Sequence, residues 1–231
     1  MATPEPRQRL PASAVVLAAG TASRMGRSKS LLPLGDRCLL QHVVDAALAS
    51  RLAEVIVVLG CRAAEIRSVL RLPADGRARV VVNADFAAGQ SASLRCGLRA
   101  VTRRSEAAAV LLGDQPTVPA ARIDRVAEAF FASRAPAARP VFPDAGGVPG
   151  HPVFLARRLW PLLDGLAGDH GARELLADRP DWLTPVPERG GPPPDVDTPD
   201  DYEGLARVAM VPGAEPSPAR VIAGGEDSGR R

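Results

Sequence analysis

Five short apolar runs, separated by segments of helical spacing, constrain this chain more than any other feature. The runs are Ser13 to Ala18, Glu54 to Leu59, Arg79 to Val82, Ala108 to Leu112 and Arg139 to Phe142. Runs of this length that stop at glycine or a turn read as buried parallel strands. Between them, Leu40, Val43, Val44, Ala47 and Leu48 fall on one helical face. Ile66, Val69 and Leu70 mark a short helix before Pro73, Leu94, Leu98 and Val101 another over Ala92 to Val101, and Ile123, Val126, Ala127, Phe130 and Phe131 a fourth. Alternation of strands and helices predicts an α/β fold, with a doubly wound, mostly parallel sheet covered on both faces in a three-layer α/β/α arrangement. In such a sheet ligands bind beyond the carboxyl ends of the strands. The loop after Ala18, the loop Asn83 to Gln90 and the turn after Leu112 are therefore expected at one edge.

The first of these loops carries the clearest chemistry. Val15 to Lys29 reads V-V-L-A-A-G-T-A-S-R-M-G-R-S-K. Glycine lets backbone amides approach a ligand, and successive amides make a concavity for anions. Arg24 offers phosphate a planar fork and Lys29 a point charge. These residues fit a polyphosphate loop and equally an ordinary strand-to-helix connection with two solvated cations. Neither G-x-x-x-x-G-K-[ST] nor G-x-G-x-x-G is present.

Two acidic motifs follow. Asp114 stands in G-D-Q-P directly after an apolar run, a place for a carboxylate that holds a hard cation or caps a turn. Asp195-Val196-Asp197-Thr198-Pro199-Asp200-Asp201 has the pattern of a helix start, with Thr198 as cap and Pro199 in the first helical position. Asp197, just outside that helix, is also free to face a metal.

The 231 residues allow one large domain with tails: a flexible segment 1–12, a domain over 13–210 and a polar tail 211–231 expected to be disordered. Hydrophobic residues make up 46% but aromatics only 3%, so the core is built from Ala, Val and Leu. A net charge of +3 without a clustered basic stripe argues against nucleic acid as partner. No run approaches the roughly 18 apolar residues of a membrane span. The three cysteines, without C-x-x-C spacing, suit a reducing compartment. With no signal-peptide pattern at the start, a cytoplasmic location is expected.

The stretch Leu17 to Lys29 resembles the L-A-A-G-x-S-x-R-M-G-x-x-K signature of the MobA-like nucleotidyltransferases, in their molybdenum cofactor cytidylyltransferase branch. G-D-Q-P, G-H-P-V-F, G-D-H-G-A-R and D-V-D-T-P-D-D occur in the order of that branch, and N-A-D-F-A-A-G-Q-S-A-S-L-R-C-G-L is similar to its second loop. The likeness covers roughly residues 13 to 207. It implies a Rossmann-like, GT-A-type nucleotidyltransferase fold, with Mg²⁺ on Asp114 and Asp197. It implies a nucleotide loop of Leu17, Ala18, Ala19, Gly20, Arg24 and Lys29, joined by Ser93 and Gly113. Lys29, Arg24 and Asp114 would carry catalysis, and His151, His170 and Arg173 would contact the acceptor.

The implied reaction moves CMP from CTP to the phosphate of molybdopterin and releases pyrophosphate. A molybdenum hydroxylase would then receive the product. Ala-Ala-Gly, where a second glycine would admit a larger base, favours CTP over GTP. Ser30 and the short loop Asp144 to Gly147 depart from the branch pattern without touching metal or phosphate positions. Other expectations compatible with the residues are another triphosphate or phosphorylated acceptor, a non-catalytic cofactor carrier, and a nicotinamide-dependent reductase, against which the missing G-x-G-x-x-G counts. His42, Trp160 and Trp182 are read as packing residues.

Overall fold

The protein is seen here as a computed structural model that describes residues 8–20, 28–169 and 171–209. In chain order its strands are β1 (Leu10–Ala18), β2 (Pro33–Leu34), β3 (Arg37–Cys38), β4 (Leu52–Leu59), β5 (Ala78–Val82), β6 (Ala107–Leu112), β7 (Ala137–Phe142), β8 (Val148–Pro149), β9 (Val153–Ala156) and β10 (Leu183–Pro187). Its α-helices are α1 (Leu39–Ala49), α2 (Ala63–Val69), α3 (Gln90–Ala100), α4 (Ala120–Ser133), α5 (Ala172–Ala177) and α6 (Pro199–Ala209).

One eight-stranded sheet runs β10-β7-β9-β6-β1-β4-β5, with β8 added to β7. The pairs β1–β4, β1–β6, β4–β5 and β7–β10 are parallel. Those of β9 with β6 and β7, and of β8 with β7, are antiparallel. This is the mostly parallel, helix-flanked sheet that the strand–helix alternation predicts.

Side-chain alternation along the central strands divides the core in two. Ala14, Val16, Val55, Val57, Leu59, Ala109 and Leu111 pack on one face against α1, α2 and α4. Val15, Ile56, Val58, Ala108 and Val110 pack on the other against α3, α5 and the 3₁₀ segment Arg157–Gly165. Strands buried on both faces read as continuous apolar runs because neither parity may be polar. Small side chains fill the layers; Gly97 of α3 sits so close to the sheet that a Cβ there would lie 2.4 Å from Val15.

Three features differ from expectation. β1 begins at Leu10, not Ser13, so residues 10–12 belong to the sheet rather than to a tail. The four-residue run Val153–Ala156 forms an antiparallel strand between β6 and β7, hidden among the glycines and prolines of its surroundings. β10, L-T-P-V-P, carries two prolines and lies at the sheet's edge, where missing N–H groups cost no ladder bonds. The segment Arg157–Gly165 is a 3₁₀ helix that contains Pro161. The tail 211–231 lies outside the described residues.

A third, smaller cluster does the positioning. Leu32, Leu34 and Leu39 pack against Val196 and Leu205, with Tyr202 alongside. Tyr202 donates its hydroxyl to the Pro33 carbonyl at 2.6 Å. The β2–β3 hairpin and α6, distant in sequence, are thereby clamped together. No helix among the described residues is long and apolar enough to cross a membrane.

Candidate active site

Asp114 is set by Gly113. The Gly113 amide donates to the Leu17 carbonyl at 2.9 Å, continuing the β1–β6 pairing by one residue. A Cβ on Gly113 would stand 2.9 Å from the Ala18 Cβ and 3.1 Å from both the Leu17 oxygen and a Leu40 methyl. Only glycine lets the chain turn this close to β1. Gly113 and Ala18 thus support the turn from beneath, and Ala18 packs toward the α1 face.

Asp197 is set by Val196, which is fully buried and whose amide donates to the Asp114 carbonyl at 3.3 Å. That bond ties the two acidic motifs together across 82 positions. The helix start predicted at Thr198-Pro199 is present, and Asp201 serves it. Its Oδ2 accepts from the Asp197 and Thr198 amides and from the Thr198 hydroxyl, while the Thr198 Oγ1 accepts from the Asp201 amide. With the cap supplied by Asp201, the Asp197 carboxylate is left to the site. It pairs with the Lys29 ammonium.

Lys29, Asp114 and Asp197 line one cavity of about 720 Å³ at the head of the sheet, with Leu17, Ala19, Gly20, Phe86, Gly89 and Ser93. The three loops expected at one edge do meet there. Ser93 lies in the first turn of α3, where its hydroxyl accepts from Asn83 Nδ2 at 3.1 Å. Gly89 precedes that helix at φ +97°, and a Cβ there would fall 2.3 Å from Gly168. The Gly168 carbonyl accepts from the Ser91 amide at 3.1 Å, and Asp169 Oδ1 from the Gln90 amide at 3.3 Å. Gly168 and Asp169 therefore cap α3, while Glu174 serves the Gly171 amide at 2.6 Å.

Electrostatics single out Asp114. Burial, then the neighbouring Asp195 carboxylate, with a smaller push from Asp197, raise its pKa from 3.8 to about 6 against the pull of Lys29. Like charges gathered in a partly dry pocket call for a cation. Two carboxylates are what proteins commonly offer Mg²⁺ when substrate phosphates and water complete its shell. Among the described residues there is no cluster of three or more His, Cys, Asp or Glu suited to a metal. The donor set therefore fits an ion held jointly with substrate, and does not fit a closed structural site.

A second chamber of about 490 Å³ adjoins the first, sharing Leu17, Gln90, Leu112 and Asp169 with it. His151 and Arg173 line it, with Arg139, Gln115 and Asp195. Burial and the Arg139 charge lower the His151 pKa to about 4, so this imidazole is neutral at neutral pH. Gln115 Nε2 donates to Asp195 at 2.7 Å. Gln115, Arg139 and Asp169 escape sequence reasoning as site residues. Gln115 adjoins Asp114 and could have been found, whereas Arg139 is hidden within a strand.

Arg24 and His170 lie outside the described residues. His42, bonded to the Leu34 carbonyl at 2.8 Å, is structural as read. Cys38, Cys61 and Cys96 are free thiols.

Similarity to known proteins agrees with this geometry. The chain is 30% identical to the purine catabolism protein PucB of Bacillus subtilis, over 84% of this chain and 95% of that protein. It is 27% identical to the molybdenum cofactor cytidylyltransferase of Escherichia coli, over 81% and 92% respectively. The crystal structure of Rv0371c from Mycobacterium tuberculosis in complex with manganese superposes with a TM-score of 0.71 at 30% identity, covering 87% of this chain and all of that one. The MobA-like NTP transferase domain matches residues 14–183, and with the parallel sheet and the two-acid cavity at its head, this chain belongs to that family of nucleotidyltransferases.

Proposed function

We propose that the protein transfers CMP from CTP to the phosphate of a molybdopterin-type acceptor, with Mg²⁺ as its metal and pyrophosphate as leaving group. The observation that carries this reading is the single cavity in which Lys29, Asp114 and Asp197 converge beside a second chamber. The Ala-Ala-Gly loop and the likeness to the Escherichia coli cytidylyltransferase support CTP and the acceptor class. The likeness to the manganese complex of Rv0371c supports a divalent ion.

In this mechanism an acceptor phosphate oxygen attacks the α-phosphorus of CTP. The new bond forms from that oxygen to the α-phosphorus, and the bond from the α-phosphorus to the bridging β-oxygen breaks. No protein base is required, because a phosphate monoester has a second pKa of about 6 and is ionised near neutral pH. Asp114 and Asp197 would hold the Mg²⁺, which would supply charge neutralisation for the phosphates. Lys29 leaves Asp197 for the β- and γ-phosphates and, with Arg24, holds the departing pyrophosphate. Leu17, Ala19, Gly20 and Ser93 seat the nucleotide from the loop and the head of α3. His151, His170 and Arg173 face the acceptor. Positioning and charge stabilisation of this kind supply most of the rate in phosphoryl chemistry. The product would pass to a molybdenum hydroxylase.

Incubating purified protein with molybdopterin, Mg²⁺ and each triphosphate in turn, and measuring pyrophosphate, tests the proposal. CTP should give pyrophosphate well above ATP, GTP and UTP. Release with another triphosphate alone would reassign the nucleotide, and none with any would leave the molecule a carrier.

A further inference from the structure

The second chamber lies where β7 changes its partner in the sheet. β9 lies between β6 and β7, but it pairs with β7 only at Ala137 and Ala138. Beyond that point β7 takes β8 as its partner, through Val141 and Phe142. Arg139 sits where the two pairings separate and lines the chamber. Phe154 of β9 pairs with both Ala109 of β6 and Ala138 of β7, so Arg139 is set apart from the Asp114 turn both across the sheet and along it.

Three carboxylates and two arginines line this chamber, and no ion pair joins them among the described residues. Each of its carboxylates already accepts from a neutral N–H. Asp169 takes the Gln90 amide, Glu174 the Gly171 amide, and Asp195 the Gln115 side chain. Neither Arg139 nor Arg173 forms an ion pair with a carboxylate among the described residues. The Arg139 Nε is shielded from solvent and has no hydrogen-bond partner in the protein. The two guanidinium groups are close enough to repel each other, and Arg139 also acts on His151. A buried N–H without an acceptor is uncommon in folded proteins and calls for an explanation. Two arginines that line one chamber without an ion pair offer donors suited to a bidentate anion.

We infer that Arg139 and Arg173 form an anion clamp in the acceptor chamber, so that the acceptor carries two anionic groups: the reacting phosphate beside Asp114 and a second anion held by the two arginines. This rests on the second chamber being the acceptor side of a nucleotidyltransferase. Arg139 is here a specificity residue that touches the acceptor without touching the reacting atoms. Neutral His151 adds a hydrogen-bonding group rather than a third charge.

Isothermal titration of the full chain with two probes tests the clamp: octyl phosphate, and the bisphosphate of 1,8-octanediol, whose flexible chain lets its two ends reach different walls of the chamber. The bisphosphate should bind about tenfold or more tightly than the monophosphate, as expected for a charge-assisted contact. Arg139→Gln and Arg173→Gln should each abolish that advantage while CTP affinity stays within about twofold. Arg173 is exposed on α5, so its replacement keeps the test valid if Arg139→Gln does not fold. Equal affinity for the two probes, or an advantage that survives both substitutions, would overturn the clamp. A clamp that behaves as described in a protein that does not bind CTP would instead refute the cytidylyl reading alone.

Discussion

Asp114→Asn should make the metal-free protein more stable while making it inactive. The raised Asp114 pKa, from 3.8 to about 6, means that folding disfavours the ionised carboxylate. About two units at 1.36 kcal/mol each amount to about 3 kcal/mol. The sign follows from proton linkage. Below pH 3.8 the carboxyl is protonated in both states and no penalty exists. The penalty grows as pH rises toward 6, and above that it is fully present. Asparagine keeps the shape and removes the charge, so urea unfolding in EDTA should show the variant about 3 kcal/mol more stable at pH 8. The two proteins should converge near pH 4. Mg²⁺ with CTP at about 100 times Kd should return about 2.7 kcal/mol to the wild type alone. An Asn variant with no gain at pH 8, or with the same gain at pH 4, would refute the assignment of this carboxylate as a strained, cation-seeking group.

Three further substitutions probe how the site is held. Asp197→Asn breaks the pair with Lys29, which is half exposed on the Asp197 side, so stability should change by less than about 1 kcal/mol while metal-dependent turnover drops on the order of 100-fold. Comparable losses of stability and activity would mark Asp197 as structural. Gly113→Ala pushes a methyl into Ala18 and Leu40 and displaces the Asp114 turn; it should cost about 1–3 kcal/mol and lower kcat far more than it raises the CTP KM, read by steady-state kinetics. Glu188 is nearly buried and receives Arg125 in two hydrogen bonds and Arg122 in a third. Burial alone would raise its pKa, but Arg125 and Arg122 hold it below the usual value. Glu188→Gln should therefore cost about 3 kcal/mol at pH 7. Calorimetry should show that cost shrinking as pH falls through the depressed pKa of the native carboxyl.

The central sheet was legible in the sequence because strands β1, β4 and β6 are buried on both faces. Burial on both sides demands an unbroken apolar run, and β1 and β6 supply one in Ala14 to Ala18 and Ala107 to Leu112. Gly20, Lys29 and the two acidic motifs stood out in the sequence by residue type, and the fold brings them to one cavity. β9 and β10 were not legible, since a four-residue run and a proline-bearing edge look like loop until a neighbouring strand claims them.

The sequence by itself determined the class of fold and the chemical types available: a glycine loop with a lysine, and two acids placed after strand and before helix. What only the tertiary structure decided is which of those groups meet. Val196 had to bury itself under the β2–β3 hairpin before Asp197 could reach Lys29, and β9 had to part from β7 before Arg139 could line a chamber. Local pattern reports the periodicity of burial, which each residue carries with its neighbours. The juxtaposition of Asp114 with Asp197, and of Arg139 with Arg173, depends on packing between segments far apart in the chain, and no local pattern encodes it.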